Sequence, residues 1–275
     1  MSSELLDKLE RYYDSVPRPR CRVEEVGPFT LFVAESGWPF YARPRRGASP
    51  RATPGDVQRL VARQRALNVP RTIEWVDDIT PDMVATAREA GAQVAMCPLL
   101  VLDGEPRGNV GTARVLDRTE EEELVATRAA VSVGFDNAGT ATGLAGTEDR
   151  DRRLISRQAV VDDTLRSRLT TGEVRLAAVS APDAPELGPV GGGSYSPLDG
   201  VAEIGGVAVL PAFRRRGLAA MLATVLARDA RSRGVTTVFC SAQDDDVARV
   251  YEGVGFRRVG TACIAELDRA AILTR

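Results

Sequence analysis

Residues 207–222 read VAVLPAFRRRGLAAML, a β-branched apolar run that hands over to three consecutive arginines and a glycine. The pattern is a strand end, a Pro-containing turn, and then a helix expected from Gly217 to about Ser232. The start of a helix leaves main-chain N–H groups without intrahelical partners and carries partial positive charge. A glycine there lets a ligand come close to the backbone, and guanidinium groups suit phosphate oxygens. Arg214-Arg215-Arg216-Gly217-Leu218-Ala219 is therefore a candidate phosphate cradle, with a hydrated basic turn as the other reading of the same residues. The stretch lacks the GK[ST] ending of a nucleoside-triphosphate loop and the three spaced glycines of a dinucleotide fingerprint.

Composition narrows the chemistry further. The chain has 275 residues, 44% hydrophobic and 27% charged, enough for one large core or two modest ones. Thirty-six basic and 38 acidic residues leave a net charge of −2, so the arginines are a local feature and no nucleic-acid partner is expected. The sequence contains no histidine, which excludes Ser-His-Asp and Cys-His hydrolases and HExxH metalloproteases. Acid and base work must fall to carboxylates, tyrosine, lysine or cysteine. The longest nearly unbroken apolar run, Val94 to Leu102, contains Pro98 and is shorter than the ~18 residues of a membrane span. No charged-then-apolar leader opens the sequence, so the expected location is cytoplasmic, away from membrane. Cys21, Cys97, Cys240 and Cys263 are too widely spaced for a metal knuckle or a disulfide frame; no metal is expected, and they read as small buried hydrophobes.

The segment "FTLFVAES" and "PFYARP" reads as a hairpin about Gly37 and Trp38. Thr53 is an N-cap with Pro54 at the first helical position, and the helical spacing lasts to Val69-Pro70. "RTIEWV" reads as a strand, Thr80-Pro81 opens a helix ended by Gly91, and "AQVAMCPLLVLDG" reads as a strand pair. The turn-rich "DGEPRGNVG" at 103–111 sets a boundary, giving domains 1–108 and 109–275. Beyond it, Thr119 with Glu122 reads as a capping box for a helix to about Phe135. "DNAGTATG" is loop, and 148–169 is helical. Strands follow at Val174–Ser180, near Val190–Tyr195 and at 200–210. After the helix from Gly217 come the strand "TTVFCS", a helix around Val247–Glu252 and a strand pair from Arg257 to Leu267. The closing order of elements repeats that of residues 53–102. Aligning Gly91 with Gly255 also pairs Thr72 with Thr236 and Asp82 with Asp246, as a degenerate internal duplication would.

Two motifs lie at a telling separation: "VAV", "LPAF", "RRRGLA" at 207–219 and "YEGVGF" at 251–256. With them, residues 110–275 resemble the GNAT superfamily of acyl-CoA-dependent N-acyltransferases, whose signature is Gln/Arg-x-x-Gly-x-Gly/Ala beyond a Val-x-Val-like strand end. The resemblance implies an α/β (α+β) fold, a mixed twisted sheet with helices on both faces; the repeated element order adds a degenerate first copy in tandem. It implies acetyl-CoA as acyl donor. Main-chain groups at Val207, Ala208 and Val209 would pair with the pantetheine amides like an added strand. The amides of Arg215 through Ala219 would hold the pyrophosphate, aided by Arg214, Arg215 and Arg216.

Tyr251 matches the tyrosine that protonates the departing thiolate in many members; ring packing on the inner face of its helix is the other reading. Glu203 stands where some members carry the base for the amine, and a hydrated or ion-paired strand-end glutamate is its alternative. Strand alternation places Glu203 on one face with Gly205 and Val207. Where many members have an asparagine that meets the cofactor, this chain has Gln243 and three aspartates, which read as helix caps. Cys240 has no local cation to lower its pKa, so direct attack in a ternary complex is expected, with the Val207 amide at the oxyanion.

The expected reaction moves an acetyl group to a primary amine of a small molecule or peptide. Residues 131–144 and the amino-terminal domain would choose the acceptor, with Asp136 and Asp149 as partners for a cationic amine. The alternative is a non-catalytic acyl-CoA-binding sensor. The presence of both Tyr251 and Glu203 favours the enzyme, since binding alone needs neither.

Overall fold

The computed structural model describes residues 3–34, 39–47, 51–155 and 161–267. The chain forms two compact units, Met1–Leu99 with Val259–Arg275, and Leu100–Arg258.

The first unit opens with helix α1 (Ser3–Ser15), which buries Leu9, Tyr12 and Tyr13 on one face. Strands β1 (Cys21–Val26) and β2 (Phe29–Ala34) form an antiparallel hairpin closed at Gly27-Pro28, with Val26 opposite Phe29. The short β3 (Arg43–Pro44) adds to β2, so the expected pairing of these two segments holds, while Gly37 and Trp38 lie outside the described residues. Helix α2 (Pro54–Ala66) begins as the sequence predicts: the Asp56 N–H donates to Thr53 Oγ1 at 3.3 Å, and the Thr53 N–H donates to Asp56 Oδ2 at 2.9 Å. Strand β4 (Thr72–Val76), helix α3 (Met83–Glu89) and strand β5 (Gln93–Leu102) follow. Phe29, Leu31, Leu60, Ile73, Trp75 and Met83 make the core. A charged cluster is buried beside it: Arg43, 2% exposed, donates to Glu10 and Glu74 at 2.8 Å each and lies 4.5 Å from the centre of the Tyr13 ring. A buried guanidinium is tolerable only with such partners.

The second unit contains β6 (Arg114–Val115), α4 (Glu121–Asp136), α5 (Thr147–Ile155) and α6 (Asp163–Thr171). Next come β7 (Arg175–Ala181), β8 (Ala184–Leu198), β9 (Val201–Val209) and α7 (Leu218–Ser232). Strand β10 (Thr237–Ser241), helix α8 (Asp245–Val254) and strand β11 (Phe256–Glu266) end the described fold. The unit's strands lie in the order β10-β9-β8-β7-β6, antiparallel from β6 through β9, with β10 parallel to β9. Helices flank both faces. A Cβ placed on Gly192 of β8 would meet Thr127 and Val131 of α4, whereas Tyr195 of β8 donates its hydroxyl to Asp229 of α7 at 2.6 Å. The chain re-enters the first unit within β11, whose residues Ala262–Glu266 pair antiparallel with β4.

Several expectations are corrected. The segments read as strand pairs at 92–104 and 257–267 are single long strands, β5 and β11; Pro98 lies inside β5 without ending it. The capping box at Thr119 does not form. Thr119 instead donates to Asp117, the Asp117 N–H donates to Glu120 at 2.7 Å, and α4 starts two residues later. The helical stretch at 148–169 is two helices, with 156–160 outside the described residues. Helix α1 and strand β1 were not expected. The order α2-β4-α3-β5 recurs as α7-β10-α8-β11, with Gly91 at φ +93° and Gly255 at φ +109° just beyond α3 and α8. No helix among the described residues is long and apolar enough to cross a membrane.

Close packing of α4 on the sheet yields a prediction. Gly192→Ala would push a Cβ against Thr127 and to 2.9 Å from the Ala177 carbonyl, costing about 1–3 kcal/mol. Gly253→Ala in α8 meets nothing within 4 Å and is expected to stabilise by ~0.4–1 kcal/mol. Urea midpoints of the two variants should move in opposite directions.

Candidate functional site

The site is built on β9. It pairs with β10 at only three positions, Val201 with Thr237, Ala202 with Val238 and Glu203 with Phe239. Among the described residues that pairing stops there, so the edge of β9 from Ile204 to Val209 is open on the β10 side. On its other side β9 stays joined to β8, but with an extra residue: Gly192 faces Ala208 and Ser194 faces Gly205, so Gly206 and Val207 together oppose Gly193. This is a β-bulge, and Gly206 at φ +65° supplies the left-handed conformation it needs.

The bulge corrects the expected alternation. Glu203, Gly205 and Ala208 lie opposite Ser196, Ser194 and Gly192 and share the α4 face. Val207 lies opposite Gly193 on the α7 face, where a Cβ added to Gly193 would stand 2.8 Å from Val207 and 3.2 Å from Leu226 of α7. Glu203 and Val207 are therefore on opposite faces. The glycine pair at 205–206 was the available signal, because glycine inside a strand marks bulges.

Past β9 the chain makes a single 3-10 turn, Pro211–Phe213, and enters the arginine loop. Arg215 at φ +64° and Gly217 at φ +78° adopt left-handed backbone, and no side chain caps α7. An uncapped helix start leaves its first main-chain N–H groups without side-chain acceptors. Leu218 is buried in the core and Ala219 packs at its margin. The three arginines differ in their partners. Arg214 donates to four main-chain carbonyls, those of Val209, Ala141, Gly134 and Asn137. Arg216 pairs with Asp183 at 3.2 Å and covers the Phe213 ring. Arg215 is exposed and has no ion pair among the described residues.

Tyr251 lies on α8, 6% exposed, with its ring edge-on to Phe256 at 5.5 Å between centroids. Burial pushes its phenol well above the usual tyrosine range, and Cys240 and Glu203 push the same way. The three groups are thus close enough to act on one another. Cys240 is fully buried, and burial together with the Glu203 charge raises its thiol well above the ordinary value. Asp244 caps α8, accepting from the Val247 N–H at 2.9 Å, as expected of these aspartates.

Beside the end of α4 is a cavity of about 330 Å³ lined by Val133, Asp136, Asn137 and Ala145 together with Asp149, Arg152 and Arg153. Both carboxylates expected to meet a cationic amine are engaged within the fold: Asp136 with Arg153, and Asp149 with Arg152 and with the Gly146 N–H at 2.8 Å. The Gly146 N–H and Arg152 hold Asp149 below the ordinary carboxylate range.

Residues 157–256 match the family model described as Acetyltransferase (GNAT) family. Over those residues the chain is similar to the GNAT acetyltransferases. The match lies within the unit that holds the bulged strand, the arginine loop and Tyr251, and the family's chemistry is acyl transfer. Solved structures of the same fold extend beyond it. A GCN5-related N-acetyltransferase from Kribbella flavida is 19% identical, with 98% of this chain and 97% of that one covered at a TM-score of 0.64. One from Sphaerobacter thermophilus is 15% identical over 94% and 84%, at 0.54, and a GCN5-related N-acetyltransferase-like protein from Streptococcus suis is 12% identical over 96% and 98%, at 0.53. These likenesses establish the GNAT fold for nearly the whole chain. No curated protein matches it.

The raised Cys240 thiol bears directly on an acyl-cysteine route. Iodoacetamide at pH 8 should alkylate the half-buried Cys21 and leave Cys240 unmodified in the native protein, with Cys240 labelled only after denaturation. Peptide mass spectrometry reads the outcome, and rapid native labelling of Cys240 would reinstate it as a nucleophile.

Proposed function

We propose that the GNAT domain moves an acetyl group from acetyl-CoA to a primary amine of a small molecule or peptide, by direct attack within a ternary complex. The observation that carries this reading is the open edge of β9 from Ile204 to Val209, which leads directly into the uncapped start of α7. An extended chain carrying amides and ending in a diphosphate needs that sequence of surfaces: strand groups on the open edge around Val207 and Ala208, the Val209 carbonyl being held by Arg214, then main-chain N–H groups from Arg215 to Ala219 with guanidinium charge alongside. A bound acyl-CoA supplies the activated thioester.

The chain's own groups supply the rest. Glu203, on the α4 face, is assigned to take the proton from the attacking ammonium, directly or through water, because an amine cannot attack while protonated. The Val207 amide is assigned to the oxyanion that forms at the attacked carbonyl. The C–S bond then breaks, and Tyr251 gives its proton to the leaving thiolate. A phenol of reference pKa ~10 and a thiol of ~8.5 are close enough for that transfer. The burial that raises Tyr251 would raise a thiolate beside it too, so the pair stays matched. The raised Cys240 thiol supports direct transfer over a covalent relay.

We assign residues 109–275 as the catalytic domain and 1–108 as a degenerate first copy. Ala87, the counterpart of Tyr251, is a buried alanine of α3, and the arginine-glycine signature has no equivalent near Pro50 to Gly55. The cavity beside α4 is the assigned acceptor site, and its facing aspartates and arginines favour an acceptor that carries polar groups besides its amine.

Free-thiol release from acetyl-CoA over a panel of primary amines tests the reaction. Tyr251→Phe should lower kcat by ~10²–10⁴-fold while calorimetric affinity for CoA stays within about twofold, since the lost hydroxyl acts on the leaving group alone. Unchanged turnover would remove Tyr251 as the acid. Tight CoA binding with no amine acetylated would favour the sensor instead.

A further inference from the structure

Arg214 is the first arginine of the signature, and its surroundings differ from those of its two neighbours. A guanidinium has five N–H donors in a fixed fork. Here Nε donates to the Val209 carbonyl at 3.1 Å, and Nη1 to Ala141 at 3.2 Å. Nη2 donates to Gly134 at 2.8 Å and to Asn137 at 2.6 Å. Four donors are therefore committed to main chain, and no ion pair involves Arg214 among the described residues. The carbonyls it meets are of a particular kind. Gly134 and Asn137 lie at the end of α4, where the helix dipole is negative; the Gly134 carbonyl also accepts from the Asn137 N–H at 3.3 Å. Val209 is the last residue of β9.

Two further bonds join the same segments. The Ala212 N–H donates to Ala145 at 3.0 Å and the Gly143 N–H to Pro211 at 3.2 Å. At Gly134 the helix comes so close to β9 that an added Cβ would stand 2.8 Å from that of Ala208. Asn137 and Ala145, which make these contacts, line the cavity together with Val133 and Asp136.

We infer that Arg214 is a positioning residue, fastening the wall of the acceptor cavity to the end of β9 and leaving phosphate to the main chain and to Arg215 and Arg216. The inference rests on the acetyl-CoA reading for its kinetic consequence, but its structural part stands apart from it. Arg214 links the strand assigned to the donor with the helix end assigned to the acceptor, so its loss acts on where the amine stands and not on how tightly CoA is held. Lysine cannot replace it: three donors on a point charge cannot span four carbonyls from three segments.

The test compares Arg214→Ala, Arg214→Lys and Arg215→Ala in the full chain. It uses CoA as the calorimetric probe, hydrogen exchange at 134–146, and steady-state kinetics with whichever panel amine releases thiol fastest. Arg214→Ala should speed exchange at 137–146 by ~10-fold or more and raise the acceptor KM by ~10-fold, with the CoA Kd within ~3-fold of wild type. Arg214→Lys should show the same pattern at smaller amplitude, and it carries the test if circular dichroism shows that the alanine variant is unfolded. Arg215→Ala should weaken CoA by ~10-fold and leave exchange at 137–146 unchanged. The inference is overturned if Arg214 variants weaken CoA as much as Arg215→Ala while exchange at 137–146 stays at the wild-type rate. Failure of the wild-type protein to bind CoA would instead overturn the donor reading, and the exchange comparison would still decide the clamp.

Discussion

The partnership of β9 and β10 lasts for three residues, and the site depends on its ending there. Interior strands normally satisfy their backbone groups on both sides, and leaving them unmade in a buried place is expensive. A stretch of strand open on one side in the middle of a sheet is stable only if water or a ligand completes it. The bulge at Gly206 adds a residue to β9 against β8, which turns the following residues to new faces just where the edge opens. One 3-10 turn, Pro211–Phe213, then separates the end of β9 from the arginine loop and the start of α7.

The electrostatics follow from what the chain lacks. Without histidine, no side chain with an unperturbed pKa near neutrality is available. Burial acts the same way on two groups: Tyr251 and Cys240 are both pushed toward their protonated forms. Glu203 acts on both from β9, which is how residues 203, 240 and 251, far apart in sequence, become one electrostatic group. The arginines divide, Arg214 turned inward to carbonyls and Arg215 outward to solvent.

Much of this was legible because it is encoded locally. Thr53-Pro54 announces α2, Asp244 announces α8, and the run from Val207 to Gly217 announces the strand, loop and helix in order. What escaped the sequence depends on contacts between distant segments. Glu120 competes for the start of α4 by binding the Asp117 N–H, and no propensity decides that contest against Thr119. The breaks implied by strand pairs at 92–104 and 257–267 fail because neighbouring strands hold the backbone extended. The faces of Glu203 and Val207 were misread by counting in twos through a bulge that the Gly205-Gly206 pair had signalled. The role of Arg214 was invisible, since three adjacent arginines look alike until the end of α4 is brought against one of them.

Arg215 holds a non-glycine side chain in left-handed backbone, a conformation that disfavours any residue with a Cβ by about 1 kcal/mol or more. Thermostability engineering that scores only the folded chain would put glycine or asparagine at this position and record an improvement. Such a variant would lose the outward guanidinium, and a screen ranking designs by melting temperature alone would not register the loss of that charge.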